Sequence, residues 1–106
     1  MTAMERDARE AFEHLIGNGV SLIDFGTPWC MPCRAQEKIV AEIKRAYRGR
    51  ARVEKVNIDE NQDIAGRLGI QSIPTLIIFK NGREMNRFIG LQTAERLDGA
   101  LKAMLT

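Results

Sequence analysis

The fold is decided by residues 20–33, which have the sequence VSLIDFGTPWCMPC. Val20 to Phe25 form an apolar run with the length of a buried strand. Pro32 suits the first turn of a helix, because its φ is fixed and its missing N–H would have no partner there. The stretch therefore predicts a strand, a short loop and a helix, with Cys30 beyond the carboxyl end of the strand, where reactive groups tend to lie in α/β sheets.

The other elements follow from hydrophobic periodicity and turn residues. In chain order they are a helix over residues 8–16, a helix up to Gly49, a strand over residues 53–58, a short helix over residues 61–68, strands over residues 75–80 and 83–89, and a helix after Thr93. Asn81-Gly82 joins the last two strands and strongly indicates an antiparallel hairpin. We therefore expect an α/β fold, a three-layer sandwich with a central mixed sheet of four to five strands, parallel central strands, an antiparallel edge and helices on both faces.

Length, charge and hydropathy exclude several classes of protein. The chain has 106 residues and 44% hydrophobic content, which suits a single domain over residues 1–106. Its 16 Lys and Arg and 14 Asp and Glu are spread along the chain, whereas nucleic-acid binding needs basic residues gathered on one face. No run approaches the roughly 20 apolar residues that span a bilayer, and residues 1–7 lack the apolar core of a secretory signal. We expect a cytoplasmic, monomeric protein that binds neither nucleic acid nor membrane.

One basic cluster departs from this even spread: residues 44–52 have the sequence KRAYRGRAR. Cations near the end of a helix interact favourably with the negative end of its dipole. This interpretation is favoured over the alternative, which is a binding surface for a specific acidic partner.

The two cysteines carry the chemistry. A structural disulfide between Cys30 and Cys33 would close a very short loop, where the entropic gain is smallest. In a reducing compartment, cysteines so close together are more often catalytic or metal-binding. The helix start predicted at Cys30 favours a thiolate, which is the form that attacks disulfides. Across the first helical turn, Cys33 is placed to resolve the mixed disulfide, and Trp29 can shield the site and offer an apolar contact to a polypeptide.

Asp24 is the second candidate for chemistry. It lies inside the predicted strand between Ile23 and Phe25, six residues before Cys30. Burial would raise the pKa of its carboxyl group, which makes it a candidate to accept the proton of Cys33, directly or through a water molecule. The alternative is a surface-facing strand residue with no part in the chemistry.

These residues belong to a wider pattern that resembles the thioredoxin family from about Phe12 to Leu105. The segments that carry the resemblance are Asp24-Phe25, Trp29-Cys30-Met31-Pro32-Cys33, Lys55-Val56-Asn57-Ile58-Asp59, Gly69-Ile70-Gln71-Ser72-Ile73-Pro74-Thr75-Leu76, Phe79-Lys80-Asn81-Gly82 and Gly90. A lone Cys-x-x-Cys is weak evidence, but its combination with the later Ile-Pro-Thr and Asn-Gly segments is highly specific. The resemblance implies a thioredoxin fold and a thiol-disulfide oxidoreductase that reduces protein disulfides.

The resemblance also implies roles for individual residues. Cys30 would be the attacking thiol, Cys33 the resolving thiol and Asp24 the buried group that manages protons, while Lys55 would lie near Asp24 and tune it. The implied substrate-binding residues are Trp29, Met31, Pro32, Ile73, Pro74 and Gly90. The resemblance implies no cofactor beyond the redox-active Cys30–Cys33 disulfide. The partners that it implies are disulfide-containing proteins and a thioredoxin reductase.

Pro74 has a particular part in this pattern. The resemblance implies a cis peptide bond that brings the Ile73 backbone beside Cys30, where an extended substrate segment can pair with it, and Gly90 would leave room for that segment. Without the family, Pro74 could equally be a trans proline that opens a strand.

Three features depart from the family pattern. Met31 stands where the commonest motif has Gly, Gly26 stands where many members carry an aromatic residue, and residues 1–10 contain no convincing opening strand. Met31 is the most consequential, because the residues between the cysteines affect thiolate stability. A change of about 30 mV in reduction potential corresponds to only ~1.4 kcal/mol, so this residue can shift the potential noticeably. Its flexible apolar side chain also offers a contact to substrates and a target for oxidation.

Other functions fit parts of the pattern. A zinc site would need more ligands than Cys30, Cys33 and the single histidine supply within one chain, so we expect no metal unless two chains share it, and we place His14 on the surface of the first helix. A binding module with an idle dithiol would have no chemical need of Asp24 or Pro74. An oxidase or isomerase would act in an oxidising compartment, and a glutathione-linked protein more often has proline directly after its first cysteine.

Overall fold

The computed structural model describes residues 1–106. Its elements are α1 (Ala3–Ile16), β1 (Val20–Gly26), α2 (Met31–Ala46), β2 (Arg52–Asn57), α3 (Gln62–Leu68), β3 (Thr75–Lys80), β4 (Arg83–Ile89) and α4 (Ala94–Leu105). Each predicted element is present, and the largest difference in bounds is at the start of α1. None of the helices has both the length and the apolar character that crossing a bilayer requires.

Helix α1 begins at Ala3 rather than near the predicted Ala8. Its N-cap is Thr2, whose side chain accepts a hydrogen bond from the Glu5 N–H at 3.1 Å, while the Glu5 carboxylate accepts one from the Thr2 N–H at 3.1 Å. Such a capping box satisfies two backbone donors at a helix start. Periodicity missed this turn because the first residues of α1 are exposed and form no apolar stripe. The expected absence of an opening strand is explained by this helix.

The four strands form one mixed sheet in the order β2-β1-β3-β4. Strands β1 and β2 are parallel, whereas β1–β3 and β3–β4 are antiparallel. The prediction of parallel central strands is therefore wrong, since the central pair is β1 and β3. Helix α3 spans only about 10 Å, less than half the length of β1, so it does not by itself return the chain to the edge where β1 and β2 begin. Strand β3 instead starts at Thr75, opposite Phe25 near the end of β1.

Helices cover both faces of the sheet, which confirms the three-layer α/β sandwich. Alternate strand residues point to opposite faces, so two apolar cores form. The core on the side of α2 and α4 contains Val20, Leu22, Val40, Ile43, Tyr47, Val53, Leu76, Ile78, Phe88, Leu97 and Leu101. The core on the side of α1 and α3 contains Ile16, Ile23, Phe25, Ile64, Ile77 and Phe79. By the same alternation, Asp24 faces the cysteine-bearing helix α2.

The basic cluster of residues 44–52 lies where both α1 and α2 end. Its first two cations occupy the last turn of α2. Beyond that turn, Arg50 donates to Ala46 O at 3.3 Å and Arg52 donates to Leu15 O at 3.3 Å. These contacts bring positive charge to the carbonyl ends of two helices, which supports the dipole interpretation of the cluster.

Candidate active site

Cys30 and Cys33 lie at the start of α2, directly beyond the carboxyl end of β1. Cys30 is the N-cap of the helix, and its sulfur accepts a hydrogen bond from the Cys33 N–H at 3.3 Å. The two sulfurs are joined as a disulfide, with Cα atoms 5.2 Å apart. Only 7% of Cys30 and 3% of Cys33 is exposed. When the pair is reduced, the helix dipole and the N–H groups of the first turn stabilise a thiolate at Cys30.

Exposed apolar side chains flank the nearly buried sulfurs. Trp29 is 70% exposed, and Met31, the first residue of α2, is 74% exposed. Pro32 lies in the first helical turn, as the sequence predicts. The Trp29 indole Nε1 donates to the Asp59 carboxylate at 2.8 Å, which holds the ring beside the disulfide. No local pattern in the sequence marks Asp59 for this contact with Trp29.

The Ile73–Pro74 peptide lies against the disulfide and is cis, as expected. Ile73 O is 4.0 Å from Cys30 Sγ, so the Ile73 backbone does lie beside the first cysteine. Gly90 has a φ of 90°, in the left-handed region that favours glycine, and its N–H donates to Pro74 O at 2.8 Å. This bond holds Gly90 next to the Ile73–Pro74 backbone.

Asp24 is buried, with only 3% of its surface exposed, so the alternative of a surface-facing carboxylate is wrong. Burial, helped by the nearby negative charge of Glu37, raises the pKa of Asp24 to about 7 against the opposing charge of Lys55. Asp24 Oδ1 has no hydrogen-bond partner within the protein. A carboxyl group with a pKa near neutrality can take up and release a proton at physiological pH.

Lys55 lies on β2 beside Asp24, with which it is aligned in the parallel pair β1–β2. Its ammonium group bonds to the carboxylate of Glu37 on α2. Lys55 is thus near Asp24, as expected, but its hydrogen-bond partner is a residue that sequence analysis missed. The available signal was spacing, because Glu37 follows Cys33 by one helical turn and so lies on the same side of α2.

A polar cleft of about 460 Å³ opens beside Cys33, and its lining includes Asp24, Gly26, Thr27, Glu37 and Lys55. Gly26 has a steric reason to lack a side chain. A Cβ at this position would lie 2.9 Å from Cys33 Sγ and 3.1 Å from Cys33 Cβ. The glycine that departs from the family pattern therefore makes room for the second sulfur.

Gln36 is a further residue that sequence analysis missed. It is fully buried on α2, where its Nε2 donates to Gln92 O at 3.1 Å and its Oε1 accepts from the Gln92 N–H at 2.7 Å. The Gln92 side chain in turn donates to Gly90 O at 3.1 Å. These bonds tie the loop that contains Gly90 to the cysteine-bearing helix. The signal was a polar residue at helical spacing between Cys33 and Val40, on the apolar face of α2.

The predictions about metal ligands concern His14 and the cysteines. His14 is exposed on α1, on the opposite side of the sheet from α2, as expected. Cys30 and Cys33 are bonded to each other. No group of three or more His, Cys, Asp or Glu side chains is arranged to hold a metal ion.

Comparison with known proteins gives a consistent result. The family model described as Thioredoxin matches residues 3–103 of the chain. The thioredoxin of Alicyclobacillus acidocaldarius is 37% identical over 105 residues, which cover 99% of this chain and 97% of that relative. Thioredoxin 1 of a Nostoc species is 44% identical over 84 residues, which cover 79% of this chain and 78% of that relative.

The three-dimensional structure is shared as well. A solved structure of a mutant thioredoxin from Halobacterium salinarum superposes with a TM-score of 0.82 at 31% identity, over 90% of this chain and 83% of that one. The family match, the identity over nearly the full length and the Cys30–Cys33 disulfide at the start of α2 all agree. The chain therefore belongs to the thioredoxin family and is a thiol-disulfide oxidoreductase.

Proposed function

We propose that this oxidoreductase reduces disulfides in other proteins, with Cys30 as the attacking and Cys33 as the resolving thiol. The observation that carries the proposal is the position of Cys30 as the N-cap of α2, where its sulfur accepts the Cys33 N–H. That position stabilises the negative sulfur that attacks a disulfide. The neighbouring Cys33 is within bonding reach for the second step.

The proposed reaction consists of two thiol-disulfide exchanges. The Cys30 thiolate attacks one sulfur of the substrate disulfide, which forms a Cys30–substrate bond and expels the other substrate sulfur as a thiolate. Cys33 loses its proton and attacks the Cys30 sulfur, which forms the Cys30–Cys33 disulfide and releases the remaining substrate sulfur. Two electrons have then passed to the substrate, whose two thiolates take up two protons.

In this proposal, Asp24 accepts the proton of Cys33 before the second exchange. Both residues line the same polar cleft. A pKa of about 7 suits the Asp24 carboxyl group to receive a proton and release it to solvent in each cycle. Burial is the main cause of the high proton affinity of Asp24, while the charge of Glu37 raises that affinity further and the charge of Lys55 lowers it.

Disulfide-containing proteins fit the surface around the sulfurs. Trp29 and Met31 offer exposed apolar contacts to a polypeptide. The Ile73 backbone, set beside Cys30 by the bond to Pro74, can pair with an extended segment as an added strand. A side chain at Gly90 would meet nothing within 4 Å, which leaves this side of the sulfurs open to the segment.

We further propose a thioredoxin reductase as the electron donor and the cytoplasm as the place of action. Each turnover leaves the protein oxidised, so a reductase must return two electrons. A reducing compartment keeps such a dithiol ready to donate. The exchange itself requires no cofactor beyond the cysteine pair, because the reduced dithiol carries the two electrons and becomes a disulfide when it gives them up.

Insulin reduction, with dithiothreitol or a thioredoxin reductase as electron source, tests this function. We expect the wild-type protein to be active and Cys30→Ser to be inactive. Activity that survives Cys30→Ser would overturn the role of this thiol. An inactive wild type, with partner binding unchanged in a Cys30→Ser, Cys33→Ser double variant, would instead favour a binding module.

A redox titration against glutathione separates the reductase from the oxidase or isomerase alternative. A midpoint near the value typical of thioredoxins, about −270 mV, fits a reductase, whereas a midpoint near about −120 mV is typical of a strong disulfide oxidase. The same titration shows the effect of Met31, because Met31→Gly restores the commonest family motif. Alkylation of free thiols followed by mass analysis gives the reduced fraction at each potential.

A further inference from the structure

Thr27 is a buried residue that has no role in the two thiol-disulfide exchanges. It follows the last residue of β1, and only 6% of it is exposed. Its hydroxyl oxygen has no hydrogen-bond partner within the protein, and neither has Asp24 Oδ1. Each buried polar group costs about 1–3 kcal/mol unless something satisfies it. Since Thr27 and Asp24 both line the cleft beside Cys33, one occupant of that cleft can satisfy them together.

The cleft is suited to water. Its volume of about 460 Å³ is far larger than the share of one water molecule, about 30 Å³. The charged groups that face it, besides Asp24, are Glu37 of α2, Lys55 of β2 and Glu60 of the loop after β2. Glu37 and Lys55 bond to each other. Neither of these two side chains bonds to Asp24 Oδ1 or to the Thr27 hydroxyl, which have no partner within the protein.

We propose that the Thr27 hydroxyl holds a water molecule that carries the proton from Cys33 to Asp24. The water oxygen accepts hydrogen bonds from the Thr27 hydroxyl and the Cys33 thiol, and one of its hydrogens points to the Asp24 carboxylate. In the resolving step the water gains the thiol proton and passes one of its own to Asp24. The water is regenerated, the Cys33 thiolate is formed and Asp24 becomes neutral.

Thr27 is therefore a positioning residue, because it acts through the water rather than on the sulfurs. This inference rests on the proposed role of Asp24 as proton acceptor. It adds a residue at which the rate and the pH dependence of resolution can be changed without altering the dithiol or its carboxylate.

Three variants isolate the hydroxyl group. Thr27→Val removes it and keeps the shape of the side chain, whereas Thr27→Ser keeps it. Ser21→Ala is the matched control, because Ser21 is also a fully buried residue of this part of the chain whose hydroxyl has no partner. Ser21 lies three positions before Asp24 on β1, so its side chain points to the opposite face of the sheet, toward α1 and α3 and away from the cysteines.

The measurement is stopped-flow reaction of each reduced protein with dithiobis(nitrobenzoate). The first nitrothiobenzoate is released when Cys30 attacks, at a rate that depends on reagent concentration. The second is released when Cys33 resolves the mixed disulfide, at a rate that does not. We expect Thr27→Val to slow the second phase by about fivefold, the effect of losing one neutral hydrogen bond, and to leave the first phase unchanged. Thr27→Ser and Ser21→Ala should match the wild type in both phases.

The pH profile of the second phase is the readout that packing alone would not move. Without the bridging water, the Asp24 carboxylate loses a hydrogen-bond donor, so its pKa rises and the midpoint of the profile moves to higher pH in Thr27→Val. Wild-type resolution in Thr27→Val would overturn the inference. Resolution in Thr27→Ser as slow as in Thr27→Val would also overturn it, because the side-chain shape rather than the hydroxyl would then be responsible.

Asp24→Asn, measured in the same way, separates this inference from the function on which it rests. Slow resolution in Asp24→Asn with normal resolution in Thr27→Val would disprove the role of Thr27 and leave the role of Asp24 intact. Normal resolution in Asp24→Asn would remove the proton route as a whole. A wild-type protein that shows no second phase would contradict the proposed dithiol chemistry itself.

Discussion

Asp24 is an acidic residue in a place where charge is unfavourable, and this predicts a pH-dependent stability. Its pKa is about 7 in the folded protein, against an ordinary value of 3.8. Between these values the folded state holds a proton that the unfolded state has released, so this residue lowers stability as pH rises from about 4 to about 7. Above that window, Asp24 destabilises the fold by a few kcal/mol, at about 1.4 kcal/mol for each pKa unit.

Asp24→Asn should therefore be more stable than the wild type at pH 8, with a clearly smaller gain at pH 5. Urea denaturation at both pH values measures the two differences. An equal gain at pH 5 and pH 8 would show that the carboxyl group does not titrate in this range in the folded state.

Gly26 predicts a second effect of a single residue. In Gly26→Ala the new methyl group would lie 2.9 Å from Cys33 Sγ, so one of them must move. Overpacking of this kind typically costs 1–3 kcal/mol, so we expect a loss of roughly that size in the oxidised protein. Gly99→Ala is the matched control, because a Cβ there meets nothing within 4 Å and alanine suits a helix interior, so that variant should be as stable as the wild type or more. Thermal unfolding of both oxidised variants is the measurement. If Gly26→Ala is as stable as the wild type, the added methyl group is accommodated beside Cys33 without a steric clash.

How well single residues could be predicted depended on how local their signals are. The cysteine motif and Asp24 stand in one short stretch, where spacing and an acid in an apolar strand are visible in the sequence. Asp59 bonds to Trp29, thirty positions away. Gln36 bonds to Gln92, fifty-six positions away. Such partners meet only after the chain has folded, and the partner of a given polar side chain cannot be deduced from its own neighbours.

At the scale of elements, α2 carries the cysteines and also fixes the loop before α4. Gln36→Leu would remove both bonds to Gln92. The backbone N–H and C=O of Gln92 would then lose these partners. We expect a loss of roughly 1–3 kcal/mol, with faster hydrogen exchange at the Gln92 amide. Gln71→Leu, at an exposed position, is the control and should leave both quantities unchanged. Wild-type exchange at Gln92 in Gln36→Leu would mean that the loop is held by other contacts.

The order and type of the elements could be predicted, because helices and strands have different hydrophobic periods and the caps and turns here have distinct residues. Strand direction could not be predicted in full. The hairpin at Asn81-Gly82 identified β3 and β4 as antiparallel, but the direction of β3 relative to β1 depends on how far α3 carries the chain. Helix α3 has seven residues and spans less than half the length of β1, and hydrophobic periodicity does not show in which direction the loops on either side of it take the chain.

At the scale of the whole molecule, the two ends of α2 serve different purposes. Its start carries Cys30, and its end lies at the basic cluster of residues 44–52. The sixteen residues of α2 span about 24 Å, which is more than twice the screening length of about 8–10 Å at physiological salt. The basic cluster therefore does not set the charge of the Cys30 thiolate, which depends on the local helix start. The single domain over residues 1–106 and the monomeric state stay predictions.

The central claim is that Cys30 attacks the substrate and Cys33 resolves the mixed disulfide, and trapping of that intermediate tests it most directly. Reduced Cys33→Ser and Cys30→Ser proteins are mixed with insulin, quenched with acid and analysed by mass spectrometry of the peptides. The account predicts that a covalent insulin adduct through Cys30 accumulates in Cys33→Ser and that almost none forms in Cys30→Ser. Equal or faster adduct formation through Cys33 in Cys30→Ser, or no adduct in either protein, would contradict it.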